Sequence, residues 1–508
     1  MDTQTKSPFA KLSDYLADLH NLNMTQHMLF WDQNVMMPSG GSDARAAQLA
    51  TLQRVRHERL TSERTMQLIE AAEAEVDMRD PDSDAARLIA VARADYEHAR
   101  ALPADFVAEY ARVTSGAFEV WKRAKAAKDY AIFTPALQRI LDLKLQEADM
   151  RGYDDHPYDV LLDHWERGMT TARVRQLFDA HRDALVELAA AVNANSDRVD
   201  DSVLRQPFDV EKQRELSLLV SKAVGIDYDN WARLDTAPHP FCLQIAKYDI
   251  RVTTRFDPNF FNAAFYSTLH ESGHGLHGHG IGTSLDGTFL SDMEFISQAI
   301  AESQSRTWEN LVGRSRAFWE WFFPHAQAIF PEQFANVDAE TVYKAVNRSY
   351  PQFSRVEADE LTYNLHIMLR FEIELALVEG KVSVADVPEL WNAKFDEYFG
   401  IVPPDVAAGP LQDVHWSMGG IGAFVGYALG NLLAAQFYRA ALDANPAIPE
   451  QVARGEFDTL RSWLTDTIYV HGRKFDADEM ARRVTGEGMQ SQDFVAYLQQ
   501  KYGELYDL

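Results

Sequence analysis

Cysteine is almost absent from this chain of 508 residues: Cys242 stands alone. No intramolecular disulfide can form, and a cysteine-rich zinc site is excluded. Basic residues are also scarce, with 49 Lys and Arg against 76 Asp and Glu and a formal net charge of -27. Nucleic acid and anionic membrane both need basic surface, so neither is an expected partner. The opening MDTQTKSPFAKLSDYLADL has no apolar run behind a basic start, and no signal peptide is expected there. Long hydrophobic runs are missing too. The least charged stretch, from Ser417 to Tyr438, is nearly long enough to span a bilayer. Its glycines, Asn431 and Gln436 dilute it, so a buried helix is expected rather than a membrane span. These absences describe a cytoplasmic protein with ordinary globular composition, 46% hydrophobic and 25% charged.

What is present is helical patterning. Residues 7–33, 106–130, 170–194, 359–380 and 491–506 carry apolar residues at three- and four-residue spacings, with Pro and Gly clustered between them. No internal repeat and no low-complexity linker divides the chain. The expected architecture is mainly α: a single body over residues 1–508, with room for two lobes flanking a central groove. One segment departs from the pattern. LQIAKYDIRVTTRF, Leu243 to Phe256, is rich in β-branched and aromatic residues, with Ile250, Val252 and Thr254 on one side, and predicts a small β element. Asp257-Pro258 then supplies a cap and a first-turn proline. A helix is expected to follow until the glycines after His274 stop it.

On that helix, His270, Glu271 and His274 spell H-E-x-x-H. Histidines four apart share one helix face and can bind one ion, and zinc accepts neutral imidazole well. Glu271, beside the first ligand, is placed to take a proton from water at the metal. A metzincin would need glycine at 277 and histidine at 280, where the chain has His277 and Gly280, so that pattern is excluded. His277 and His279 are read as loop residues lining the cleft. A catalytic zinc takes a third protein ligand from another element. Downstream, Asp292, Glu294, Glu302 and Glu309 lie on a further helical pattern. Glu302, among Ala299, Ile300, Ala301 and Ser303, is the favoured ligand. An i, i+4 ion pair with Arg306 fits its spacing equally well.

Several ordered motifs now resemble the Taq-type metallocarboxypeptidase family, the thermostable carboxypeptidase 1 group. HPF stands at His239 to Phe241, DIRVT at Asp249 to Thr253, HESGH at His270 to His274 and ESQSR at Glu302 to Arg306. RVEADELTYNLHIMLRFEIE follows from Arg355 and GPLQDVHW from Gly409 to Trp416, with further likeness at WDQNVMMPSGG and YVHGRKFDADEMARRVTGEGM. The resemblance covers nearly the whole chain. It implies a helical, zincin-like fold of gluzincin type with a groove around the metal, commonly homodimeric. It implies His270, His274 and Glu302 as zinc ligands, with cobalt as an alternative metal, and Glu271 as general base. The implied activity is release of single amino acids from peptides with a free C-terminus, with broad preference. Two positions depart from the family pattern: Ala301 where a histidine usually precedes the third ligand, and Ala423 where a tyrosine usually stands.

An exopeptidase must also bind the terminal carboxylate, which arginine does best through its fork of donors. Arg355 is the first candidate, then Arg251 and Arg306, each with a structural salt bridge as the alternative. The strand Asp249 to Thr253 is expected to offer its edge to peptide backbone. His239, Gln412, His415, Tyr363, Tyr427 and His366 complete the substrate-facing candidates, with a core position as the alternative for His366. His415, Tyr427 and Tyr363 are the groups available to replace a hydroxyl at Ala423. Two other functions compete: a zinc oligopeptidase or dipeptidase, and a metal-binding protein without turnover, which Ala301 and Ala423 would favour and the intact Glu271 opposes.

Overall fold

The computed structural model describes residues 6–80 and 82–508. The five periodic segments are helices, at Pro8–Val35, Ala104–Ala127, Thr171–Ala194, Tyr363–Val378 and Gln492–Tyr506. Their apolar stripes meet in one large core that includes Leu269, Trp308, Phe371 and Leu432. A second apolar cluster joins the N-terminal helices, through Leu16, Leu19 and Ile89, to Leu285, Phe289 and Leu290.

The β element is larger than the alternation predicts. Leu243 to Phe256 forms two strands, β2 (Cys242–Ala246) and β3 (Asp249–Thr254), and β1 (Ala232–Thr236) joins them. The order is β1-β3-β2, with β1 parallel and β2 antiparallel to β3. β1 reads ARLDT, with two charges in five residues, which hides it from a periodicity search. Ile250 and Val252 are fully buried. Because β3 is the central strand, both its edges are already paired. The expectation that Asp249–Thr253 offers an edge to substrate is therefore corrected.

The motif helix runs Phe261–Gly280, starting three residues after the Asp257-Pro258 signal. Asp257 Oδ1 instead accepts from Asn259 N in the preceding turn. The glycines do not stop this helix; each admits a neighbour. A Cβ added at Gly275 would stand 3.2 Å from Ile250 Cγ2, and one at Gly280 would stand 2.5 Å from Tyr469 Cδ2. At Gly273 it would lie 2.6 Å from Gln304 O, in the helix Gln298–Arg306. That helix is approached from its other side by Val425–Ala444, where Cβ atoms at Gly426 and Gly430 would stand 2.5 Å from Gln298 and Glu302. The apolar glycine-rich stretch thus packs backbone against backbone in the core. Among the described residues no helix is long and apolar enough to cross a membrane.

Candidate metal centre and substrate-facing cluster

Close approach at Gly273 brings the HExxH face of one helix against Glu302 on the next. Ligand atoms of His270, His274 and Glu302 all lie within 4.8 Å of one another, with His270 Nε2 3.6 Å from Glu302 Oε2. Burial pushes the His274 imidazole down to about 4, so it is neutral, as a ligand must be. Burial alone would raise the Glu302 carboxyl, but the neighbouring His270 and His274 rings, Arg306 and a hydrogen bond from Ser305 hold it below its ordinary range. A buried anion facing two imidazoles is a donor set that fits a divalent cation. Arg306 does not pair with Glu302. It bonds Glu309 at 2.9 Å, and its guanidinium lies over the Tyr363 ring at 4.5 Å.

Glu309 was among the acids the downstream pattern offered, and it takes a different place from a ligand. It sits in a π-helical turn, Thr307–Val312, a deviation that recurs at functional sites. Its Oε2 accepts from His270 Nδ1 at 2.8 Å. Burial would raise Glu309, but Arg306, His270 and Arg314 pull it down to about 2. A fixed carboxylate on Nδ1 holds the ring's orientation and leaves Nε2, 3.6 Å from Glu302 Oε2, as the nitrogen that would meet a metal. Glu271 is 6% exposed, and burial lifts its carboxyl to about 7. His270 opposes that rise, while Glu302 and Glu309 add to it.

A second buried polar cluster is drawn from three separate segments. Arg355, in the short turn Arg355–Glu357, is 7% exposed. It donates through Nε and Nη2 to Asp413 Oδ1, at 3.2 and 2.8 Å, and through Nη1 to the Tyr363 hydroxyl at 2.8 Å. Arg370 bonds the other Asp413 oxygen through Nε at 2.8 Å. One carboxylate therefore serves two guanidiniums, which hold Asp413 far below the ordinary carboxylate range. Gln412 acts as a brace rather than facing the groove: its Oε1 accepts from Arg355 N and its Nε2 donates to the carbonyls of Phe353 and Ala408. His415 packs on Phe424 with centroids 4.5 Å apart, and burial drops its imidazole to about 4. Burial keeps the Tyr427 hydroxyl protonated, and the Arg355 guanidinium lies 5.3 Å from the centre of its ring.

Other candidates lie elsewhere. Arg251 pairs with Asp249, Nη2 to Oδ2 at 2.9 Å, and stacks on Trp31 at 4.5 Å; its salt-bridge alternative is the one realised. His366 is fully buried against Phe395 and Phe399, a core histidine. His239 is exposed and contacts the carbonyl of Pro240. His277 and His279 belong to the helix, not a loop: His277 is buried on Tyr469, and His279 stacks on Trp231 at 3.9 Å. Asp413 and Arg370 are the site residues that spacing did not single out, and Glu309 was offered only as an alternative ligand. Only the quoted GPLQDVHW segment carried a signal for Asp413.

Two histidines and a glutamate on one helix, joined by a carboxylate from the next, define a site of the metallopeptidase class. The family follows from comparison with known proteins. Residues 11–502 match the family model described as Carboxypeptidase Taq (M32) metallopeptidase, and the chain belongs to that family. It is 40% identical to thermostable carboxypeptidase 1 of Thermus thermophilus over 507 residues, 98% of each chain. It is 37% identical to carboxypeptidase 1 of Bacillus subtilis, over 97% of each. The crystal structure of an M32 carboxypeptidase from Deinococcus radiodurans superposes with a TM-score of 0.95 at 38% identity, covering 99% of this chain and 100% of that one. The mainly helical fold with its small sheet agrees with that neighbour.

Proposed function

We propose that this chain is a zinc carboxypeptidase that removes single amino acids from the free C-terminus of peptides, with His270, His274 and Glu302 as ligands and Glu271 as general base. The observation that carries the reading is the buried guanidinium of Arg355, 5.3 Å from the centre of the Tyr427 ring. An arginine has five N–H donors. Arg355 commits three of them, to Asp413 and Tyr363, which leaves two for a ligand. With Arg370 sharing Asp413, the cluster also keeps one positive charge to receive a carboxylate. A closed cationic end beside a metal centre favours cutting the last peptide bond over internal cleavage.

A divalent cation in the trio supplies a Lewis acid that polarises the scissile carbonyl and makes water a better nucleophile near neutral pH. Zinc suits two imidazoles and a carboxylate; cobalt(II) accepts the same donors. Glu271, lifted by burial to about 7, is matched to taking a proton from water and returning it to the leaving amine. Tyr427 keeps its proton and is available to donate to the developing oxyanion, in the role left open by Ala423. A homodimer in the cytoplasm is part of the same proposal, and light scattering at a mass of two chains would support the assembly.

The test is incubation of zinc-loaded protein with an N-blocked peptide, read by mass spectrometry, with the C-terminal amide and Glu271→Gln as controls. Stepwise loss of single C-terminal residues from the free acid alone, absent in the variant, is expected. Internal or dipeptide cuts would support the oligopeptidase reading instead. Bound metal without any cleavage would support a protein that has lost turnover.

A further inference from the structure

Glu374 lies on the helix Tyr363–Val378, is 1% exposed, and makes no ion pair among the described residues. Three neutral donors converge on it instead. Trp416 Nε1 donates to Oε1 at 2.7 Å, Gly422 N donates to Oε2 at 2.8 Å, and the Tyr158 hydroxyl also donates to Oε2. Trp416 and Gly422 bracket a glycine-rich loop with His415 at its start and Tyr427 just beyond it. Two glycines of that loop have φ of 77° and 89°, at Gly419 and Gly422, so its backbone has little intrinsic preference for one path. Gly422 is wedged, since a Cβ there would lie 2.7 Å from Leu161 O on the helix that carries Tyr158. Burial lifts the Glu374 carboxyl to about 7, and the three donors, with the more distant charge of Arg370, act against that rise.

We propose that Glu374 is a positioning residue: by pinning Trp416 and Gly422 it fixes where His415 and Tyr427 stand beside Arg355 and Asp413. The inference rests on the carboxypeptidase reading for its catalytic consequence, but not for the ordering of the loop. Glutamine has the same size yet only one accepting oxygen. Its amide N–H₂ must face either the Trp416 N–H or the donors on Oε2, so Glu374→Gln places donor against donor at one end of the loop.

The experiment compares wild type, Glu374→Gln, Tyr427→Phe and the double variant for metal content, kcat and KM, and follows amide hydrogen exchange across residues 411–427. Glu374→Gln should keep its metal and exchange the loop amides at least about tenfold faster, with the motif helix unchanged. Its kcat should fall by about 10–100-fold with KM moving under about threefold, the scale of a misplaced catalytic group. In the Tyr427→Phe background the further loss should shrink below about threefold, because both changes act on one unit. Equal losses in the two backgrounds, or unchanged loop exchange, would overturn the proposal. Should Glu374→Gln not fold, Trp416→Phe removes one donor and predicts the same pattern at about a third of the size; wild-type exchange and kcat in that variant would overturn it too. If wild type itself releases no amino acid, the carboxypeptidase reading fails, while the exchange result still decides whether Glu374 orders the loop.

Discussion

The candidate metal trio and the arginine cluster both hold charge in buried surroundings, by different constructions. The trio rides on two helices pressed together at Gly273, and Glu302 is fenced on its other side by Gly430. The cluster is drawn from three segments, Arg355, Tyr363 with Arg370, and Gln412 to His415, joined by side chains that meet only in the folded state. In the trio one anion faces two imidazoles with room for a cation. In the cluster one anion, Asp413, faces two cations with room for a second anion. Opposite charge imbalances are suited to a substrate that presents both a carbonyl to a cation and a carboxylate to a guanidinium. Rigid backbone contact secures the trio, whereas hydrogen-bonded side chains secure the cluster.

The largest effect that would break this contrast is Asp413→Asn, which leaves Arg355 and Arg370 facing each other without their shared anion. Removing one partner from such a buried group costs about 3–5 kcal/mol, read as a shift in the denaturant midpoint. The same carboxylate fixes the pH response. Its pKa is depressed in the fold, so its contribution is fully present above about pH 4 and is lost as pH falls below that. Wild type should lose stability there more steeply than the variant. Next in size, Glu309→Gln frees the His270 ring and should weaken metal binding by about 10–100-fold, with the folded structure retained. Titration with a competing chelator measures it. A smaller change should follow Arg355→Lys, which keeps the charge and loses the fork. KM for a free-acid peptide should rise by about tenfold, the worth of one charge-assisted hydrogen bond, with metal affinity unchanged. At the bottom, Arg251→Ala should leave kcat/KM within about twofold and cost no more than about 1 kcal/mol, because its partner Asp249 is a half-exposed structural acid.

That ranking follows how each part was written in the sequence. His270 and His274 are legible because helix periodicity alone puts them on one face, and Glu271 because it adjoins the first of them. Glu302 is legible as a candidate but not separable by spacing from an ion pair with Arg306; the π-helical turn after it sends Arg306 to Glu309 instead. Periodicity carries the long helices, and it fails at β1, whose five residues are too few and too charged to show alternation. The glycines of HESGHGLHGHG mislead as stop signals because their reason lies in other elements, Ile250, Gln304 and Tyr469, which only the fold brings near. Arg355 with Asp413, and Glu374 with Trp416, are contacts across tens of residues, and no local pattern encodes them.

The most direct check on the metal centre is the metal content and zinc affinity of purified wild type, His274→Ala, Glu302→Gln and Glu271→Gln, with thermal midpoints to show that each is folded. One ion per chain is expected in wild type and in Glu271→Gln, and at least about a hundredfold weaker binding in the two ligand variants, a loss beyond that of an outer partner. Wild-type affinity in folded His274→Ala or Glu302→Gln would contradict the assignment of the trio.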